Sequence, residues 1–230
     1  MDTAERLLFL GWAKTRQFKA KVDQANTTIK EALEIDTAYV ACSWGKDSTV
    51  LTHLCQQVKP DIPVISFGNP ERVFFDYQEV IDRYCNQYHP NLITIELEGD
   101  HVPDKVKAAK LWETYPVAIV GVRKEESKAR SIAITQYGLI YQFKSGSHAK
   151  SWRCFPLAYW NWKDVWAYIV SRDLPYLDAY NHQVWERGRT TDHLTKSTRS
   201  RWQRTRAEEF ARVSPDYYHY LKTNFPEMFQ

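Results

Sequence analysis

The sequence predicts an α/β protein built on a mostly parallel sheet with helices on both faces. Three observations lead there. Short apolar runs, "AYVAC", "VISF", "NLITIEL" and "PVAIVGV", alternate with stretches of helical periodicity, the pattern of repeated strand–helix–strand units. The fourth run is apolar at nearly every position, as strands covered on both faces are. And "ACSWGKDSTVLTHL", Ala41 to Leu54, passes directly from a small-residue strand end through a polar turn into an apolar helical pattern.

The elements follow in order. Residues 4–34 read as helix, with Leu7, Leu8, Phe18, Val22, Ile29 and Leu33 as apolar points. Gly11 and the polar stretch around Asn26 are the places where it would divide in two. A first strand is expected at Ala38–Cys42. The helix after the polar turn carries Val50, Leu51, Leu54, Cys55 and Val58 on one face. Val64–Phe67 is the second strand, closed by Gly68-Asn69-Pro70, and residues 71–88 are helical. "NLITIEL" is the third strand, Pro103–Trp112 a helix, and "PVAIVGV" the fourth strand. From Trp152 the chain turns aromatic, with Asn161 as a helix N-cap, Asp164 three positions on, and Val165, Trp166, Ile169 and Val170 facing the core.

Composition narrows the classes. With 43% hydrophobic and 26% charged residues over 230, a packed core is expected and disorder is not. A net charge of +3 names no partner. No run approaches the roughly 18 apolar residues of a membrane span, and the N-terminus does not read as a signal peptide. A cytoplasmic protein is the expectation. The four cysteines, Cys42, Cys55, Cys85 and Cys154, include no C-x-x-C pair. They read as reduced and mostly buried, without a zinc or iron–sulfur site.

Two loops carry candidate chemistry. In an open parallel sheet, ligands bind beyond the carboxyl ends of the strands. There the first turn of a helix offers free N–H groups and the positive end of its dipole. In Ser43-Trp44-Gly45-Lys46-Asp47-Ser48, Gly45 lets a phosphate approach the backbone, Ser43 and Ser48 offer hydroxyls, and Lys46 adds charge. Asp47 either holds a metal ion or caps the helix. Neither of the common phosphate loops, G-x-x-x-x-G-K-[ST] or G-x-G-x-x-G, is present. "GVRKEESKAR", Gly121 to Arg130, opens at the same edge after the fourth strand. Gly121 gives room, Ser127 a hydroxyl, and Arg123 and Arg130 planar forks able to grip a sulfate or phosphate. The plainer alternative is a charge-rich helix start, with Glu125 and Glu126 favouring the dipole.

The first loop resembles the pyrophosphate loop, S-G-G-x-D-S, of the ATP pyrophosphatases in the adenine-nucleotide α-hydrolase-like superfamily. Trp44 stands where that loop has its first glycine, which narrows backbone freedom and is expected to place an indole over the site. The second, G-x-R-x-x-E-S-x-x-R, resembles the phosphoadenylyl-sulfate (PAPS) reductase family. So does "FPLAYWNWKDVWAYI", matching P-L-x-x-W-x-x-x-D-V-W-x-Y-I at Pro156, Leu157, Trp160, Asp164, Val165, Trp166, Tyr168 and Ile169. The three occur in family order, from residue 38 to about 180. The third is read as structural.

The resemblance implies a Rossmann-like, mostly parallel five-stranded sheet sandwiched by helices. An N-terminal helical segment (1–36) and a basic helical tail (181–230) would flank a nucleotide-binding domain (37–180). It implies an adenine nucleotide bound through Ser43, Trp44, Gly45, Lys46, Asp47, Ser48, Gly121, Arg123, Ser127 and Arg130, with its base between residues 39–41 and 66–68. Lys46, Asp47 and Arg123 are the expected catalytic residues and Asp47 the expected Mg²⁺ ligand. The family's reductases use a cysteine near the C-terminus, but no cysteine follows Cys154 here. Thiol chemistry would then fall to Cys154, whose pKa the neighbouring Arg153 could lower. The leading expectation is ATP chemistry instead: attack on the α-phosphorus with release of pyrophosphate, using ATP and Mg²⁺ and no iron–sulfur cluster, in sulfur metabolism or sulfur modification of nucleic acid. Reduction of a sulfonucleotide such as PAPS is the alternative, and a non-catalytic nucleotide-binding module the more distant one. Trp185–Arg212 holds eight basic and four acidic residues with Trp185 and Trp202. It is a candidate surface for nucleic acid or another polyanionic acceptor, or simply a solvated helix face. An oligomer is compatible with all of this.

Overall fold

The structure, a computed structural model, describes residues 1–68, 76–96, 105–144, 149–181, 211–212 and 214–224. The expected N-terminal helix is two: α1, Thr3–Ala13, and α2, Arg16–Ile35. The break falls at Lys14–Thr15, not near Asn26, because Thr15 is an N-cap whose hydroxyl accepts from Phe18 N–H at 3.2 Å. Then follow β1 (Ala38–Ala41), α3 (Lys46–Val58), β2 (Pro63–Gly68), α4 (Asp76–Tyr88) and β3 (Asn91–Glu96). The chain continues with α5 (Lys105–Thr114), β4 (Val117–Val120), a 3-10 turn at Lys124–Glu126 and α6 (Lys128–Tyr137). The remaining elements are β5 (Ile140–Gln142), β6 (Trp152–Cys154), α7 (Trp162–Arg172), a 3-10 turn at Asp178–Tyr180 and α8 (Pro215–Asn224). Of the basic segment Trp185–Arg212, residues 185–210 lie outside the described residues.

The sheet is mostly parallel, as expected, but has six strands among the described residues rather than five, in the order β3-β2-β1-β4-β6-β5. Only β5 runs antiparallel, folding back on β6. Starting at β1, the chain winds outward through β2 and β3, then returns to place β4 on the other side of β1, with Ala38–Ala41 in register with Val117–Val120. This reversal leaves a crevice beyond the carboxyl ends of β1 and β4, the place where such sheets bind ligands. Both candidate loops begin there.

Alternation along β1 sorts the core. Ala38, Val40 and Cys42 face a large cluster with α1, α2, α3 and α7, while Tyr39 faces a smaller one with Ile65, Ala118 and Leu111. Every residue from Lys46 to Gln56 in α3 is buried, so its polar groups need partners. Thr52 donates to Ser48 O (2.8 Å), Tyr84 to Gln56 Oε1 (2.7 Å), and His53 Nδ1 lies 2.9 Å from Tyr168 Oη.

The aromatic third motif is structural in its geometry. Asn161 caps α7 in a reciprocal box with Asp164, as expected. Asp164, fully buried, also accepts from Lys21 Nζ (2.5 Å) and Trp12 Nε1 (2.9 Å), and Trp160 Nε1 donates to Lys21 O (3.3 Å). One carboxylate therefore ties α7 to both N-terminal helices.

Candidate active site

Gly45, the N-cap of α3, has no side chain with which to cap the helix, so the first turn is open to an anion from the crevice. The loop before it is braced internally. Ser43 N–H donates to Ser48 Oγ (3.2 Å), and Ser48 Oγ donates to Gly45 O (3.0 Å). The two serine hydroxyls lie 3.2 Å apart. Trp44 adopts φ 58°, the left-handed conformation that favours glycine. The sequence placed its indole over the site, and the structure does not. The indole turns into the core, buried, donating to Ser66 Oγ (3.0 Å) and meeting the Tyr84 ring edge-on at 5.4 Å.

β4 brings the second loop against the first. A Cβ on Gly121 would sit 3.1 Å from Asp47 O and 3.3 Å from Ser48 Cα, so glycine is required by the close approach of two backbones. Behind this contact lies a buried ion-pair cluster. Asp47 Oδ1 accepts from Arg123 Nε and Oδ2 from Lys46 Nζ, each at 2.5 Å. Arg123, fully buried, also pairs with Glu125. Glu126 Oε2 accepts from Arg123 N–H (3.0 Å) and from the Arg130 guanidinium. Ser127 caps α6, its hydroxyl accepting from Arg130 N–H at 3.2 Å.

Together these elements enclose a cavity of about 270 Å³. Of the residues expected from the sequence, Ser43, Gly45, Asp47, Ser48, Gly121 and Arg130 line it. Trp44, Lys46, Arg123 and Ser127 do not; the first three support its wall from behind. Ala41 and Phe67 line it from the stretches expected to flank an adenine. Besides the apolar wall of Cys42, Val120 and Val122, two lining residues with a carboxylate or hydroxyl were missed. Glu126 is the glutamate of G-x-R-x-x-E-S, so the motif itself could have pointed to it. Tyr180 had no local signal: its hydroxyl lies 3.5 Å from Lys46 N and its ring 5.8 Å from Lys46 Nζ, across 134 residues.

Cys154 does not fit the thiol role. Burial pushes its pKa well up, Glu31 adds to that, and Sγ sits 3.6 Å from Thr28 O inside the core. Arg153 does not lower it; its guanidinium lies over the Phe143 and Trp112 rings. Cys42 lines the cavity wall but belongs to the main core cluster.

A magnesium ion needs hard oxygen ligands. Asp47, the expected ligand, lines the cavity with one cation on each carboxylate oxygen, Lys46 on Oδ2 and Arg123 on Oδ1. Glu126 is the other carboxylate of the lining; its side chain is 5% exposed, and Oε1 makes no hydrogen bond but pairs with Arg123 Nη2 at 4.0 Å. Among the described residues no group of three or more His, Cys, Asp or Glu side chains is placed to hold a metal ion.

Comparison with known proteins matches this frame. The family model described as "Phosphoadenosine phosphosulfate reductase domain" matches residues 37–117 and 105–188. The chain belongs to that family. It is 32% identical over 152 residues to an adenosine 5'-phosphosulfate reductase of Bacillus thuringiensis (strain Al Hakam), covering 59% of this chain and 64% of the relative. To the reductase of Bacillus cereus (strain B4264) it is 29% identical over 157 residues, covering 61% and 66%. The matched region thus spans just under two thirds of these relatives' length. Among solved structures, an FMN adenylyltransferase of Candida glabrata in complex with ATP shares the fold, with a TM-score of 0.57 and 14% identity over 77% of this chain and 66% of that one.

Proposed function

We propose that the chain binds ATP with its phosphates on the Ser43–Ser48 loop and directs attack at the α-phosphorus, releasing pyrophosphate. The observation that carries this reading is the cavity at the sheet's reversal point, where an uncapped helix N-terminus, two serine hydroxyls and Arg130 converge. An acceptor oxygen forms a bond to the α-phosphorus as the bond to the bridging oxygen of the β-phosphate breaks. Pyrophosphate leaves with that electron pair. The α3 amides and Arg130 face the charge that develops on it. Lys46, Asp47 and Arg123, the residues expected to be catalytic, act as a unit that fixes the loop. Asp47 is pinned at both oxygens, and its backbone carries the amides. Magnesium arriving with the nucleotide, with Asp47 as the expected protein ligand, would supply charge neutralisation of the phosphates. The likeness of fold to an ATP-bound adenylyltransferase supports the reading.

The reductase relatives favour a second reading, sulfonucleotide reduction. The buried Cys154, with its raised pKa, speaks against it. Product analysis separates the two. The protein with ATP and Mg²⁺ should yield pyrophosphate, with AMP or an adenylylated acceptor. With adenylyl sulfate or PAPS and a thiol donor it should yield no sulfite. Sulfite without pyrophosphate would replace the first reading by the second.

A further inference from the structure

The cations named at the cavity are already committed, Lys46 and Arg123 to Asp47, and Arg130 to Glu126. A phosphate draws on them only in competition with those carboxylates. Recognition then leans on neutral donors, the α3 amides and the two serine hydroxyls. Folding supplies one more. Tyr180, 4% exposed, lines the cavity and sets its hydroxyl at the head of α3. Oη lies 3.5 Å from Lys46 N and 3.9 Å from where a Cβ on Gly45 would stand, beside the amides expected to receive the anion. It is also held there. The ring meets Trp166 edge-on at 5.4 Å, and Trp166 in turn meets Tyr176 at 5.0 Å. The 3-10 turn that carries it is closed by Asn181, which donates from Nδ2 to Asp178 Oδ1 (2.8 Å) and accepts from Tyr176 Oη (3.3 Å). The hydroxyl cannot withdraw without unpacking Trp166, so an anion arriving on α3 meets it in place. A tyrosine hydroxyl both accepts and donates. Its proton rotates toward the strongest acceptor in reach, and an ionised phosphate oxygen is stronger than a neutral one.

We infer that Tyr180 is a phosphate ligand of the nucleotide, its Oη donating to a phosphate oxygen seated on the first turn of α3. The inference rests on the ATP reading above and adds to that site a neutral donor 134 residues along the chain from Lys46.

The test is binding, read by calorimetry with ATP and with adenosine, which has no phosphate. Tyr180→Phe keeps the ring and removes only the hydroxyl, so the denaturation midpoint should hold. ATP affinity should fall at least about tenfold, the lower end for a hydrogen bond to a charged group, while adenosine affinity stays unchanged. A second probe is 3-fluorotyrosine introduced at Tyr180. Its more acidic phenol is a stronger donor, so below the pKa of that phenol ATP should bind more tightly than to the unaltered protein. This probe decides if the phenylalanine variant does not fold or adenosine binds too weakly to compare, and the absence of any gain overturns the inference. Unchanged ATP affinity in Tyr180→Phe would make the residue a wall and nothing more. A rise would mean that the hydroxyl competes with the phosphate for the Lys46 amide. Equal losses for ATP and adenosine would mean that it only shapes the cavity. Each of these overturns the inference while the ATP reading stands. If the unaltered protein binds no adenine nucleotide at all, both fall.

Discussion

Trp44 shows how one residue can carry opposed demands. Its backbone is left-handed, where a side chain costs about 1–2 kcal/mol, and its indole fills the core beneath the loop. The burial term is larger: truncating a buried tryptophan costs about 3–5 kcal/mol. Trp44→Ala should therefore destabilise strongly. Trp44→Gly loses the same indole but relieves the backbone, so it should be the milder of the two by about 1 kcal/mol. Chemical denaturation compares them, and an alanine variant as stable as the glycine one would refute the strain argument. His53 makes a pH-dependent contribution. Burial, and then the Arg172 charge, lower its pKa to about 4. The folded state thus binds this proton less readily than the unfolded state, whose value is about 6.5. The stability is fully present above about pH 6.5 and is lost as pH falls toward 4, by about 3 kcal/mol in all. The unfolding free energy of the unaltered protein, less that of His53→Gln, should shrink across that window. A difference constant from pH 7 to pH 4 would contradict the assignment.

At the scale of elements, two contacts set the site. The first is the approach of the β4 end to the start of α3. Gly121→Ala would press a methyl group to 3.1 Å from a backbone oxygen, and backbone yields less readily than a side chain. The expected cost is about 1–3 kcal/mol in stability, with weaker ATP binding because the strained partner is the loop itself. Calorimetry on the folded variant checks this, and unchanged affinity would mean that the loop does not hold the nucleotide. The second is the tie from Asp164 to α1 and α2. Removing one member of a buried ion pair costs about 3–5 kcal/mol. Asp164→Ala should lower the denaturation midpoint accordingly yet leave nucleotide affinity of the folded fraction unchanged, because Asp164 lies in the helical layer and not in the cavity. A selective loss of binding at full stability would move the third motif into the site.

At the scale of the whole molecule, what was legible in the sequence was what local pattern encodes. β1, β2 and β4 show as apolar runs because they are inner strands with both faces covered, and β3, at the sheet edge, shows through its Leu92, Ile93 and Ile95 run. The two loops show because glycine, serine and charge cluster at strand ends. β5 and β6 were not read: three residues each hold too little alternation to register, and their pairing depends on a contact the sequence does not announce. The departure at Trp44 was visible, but not the direction of its indole, which Ser66 and Tyr84 decide. Lys46 and Arg123 read as anion ligands, yet they close on Asp47, in Arg123's case across 76 residues. Tyr180 joined the site only through folding. The proposed chemistry depends above all on the Ser43–Ser48 loop holding the phosphates. A crystal structure with α,β-methylene-ATP and Mg²⁺ tests this most directly, since the analogue cannot be cleaved between its α- and β-phosphorus atoms. Phosphate density within hydrogen-bond reach of the Gly45–Ser48 amides is the predicted result, and nucleotide density at any other edge of the sheet would contradict it.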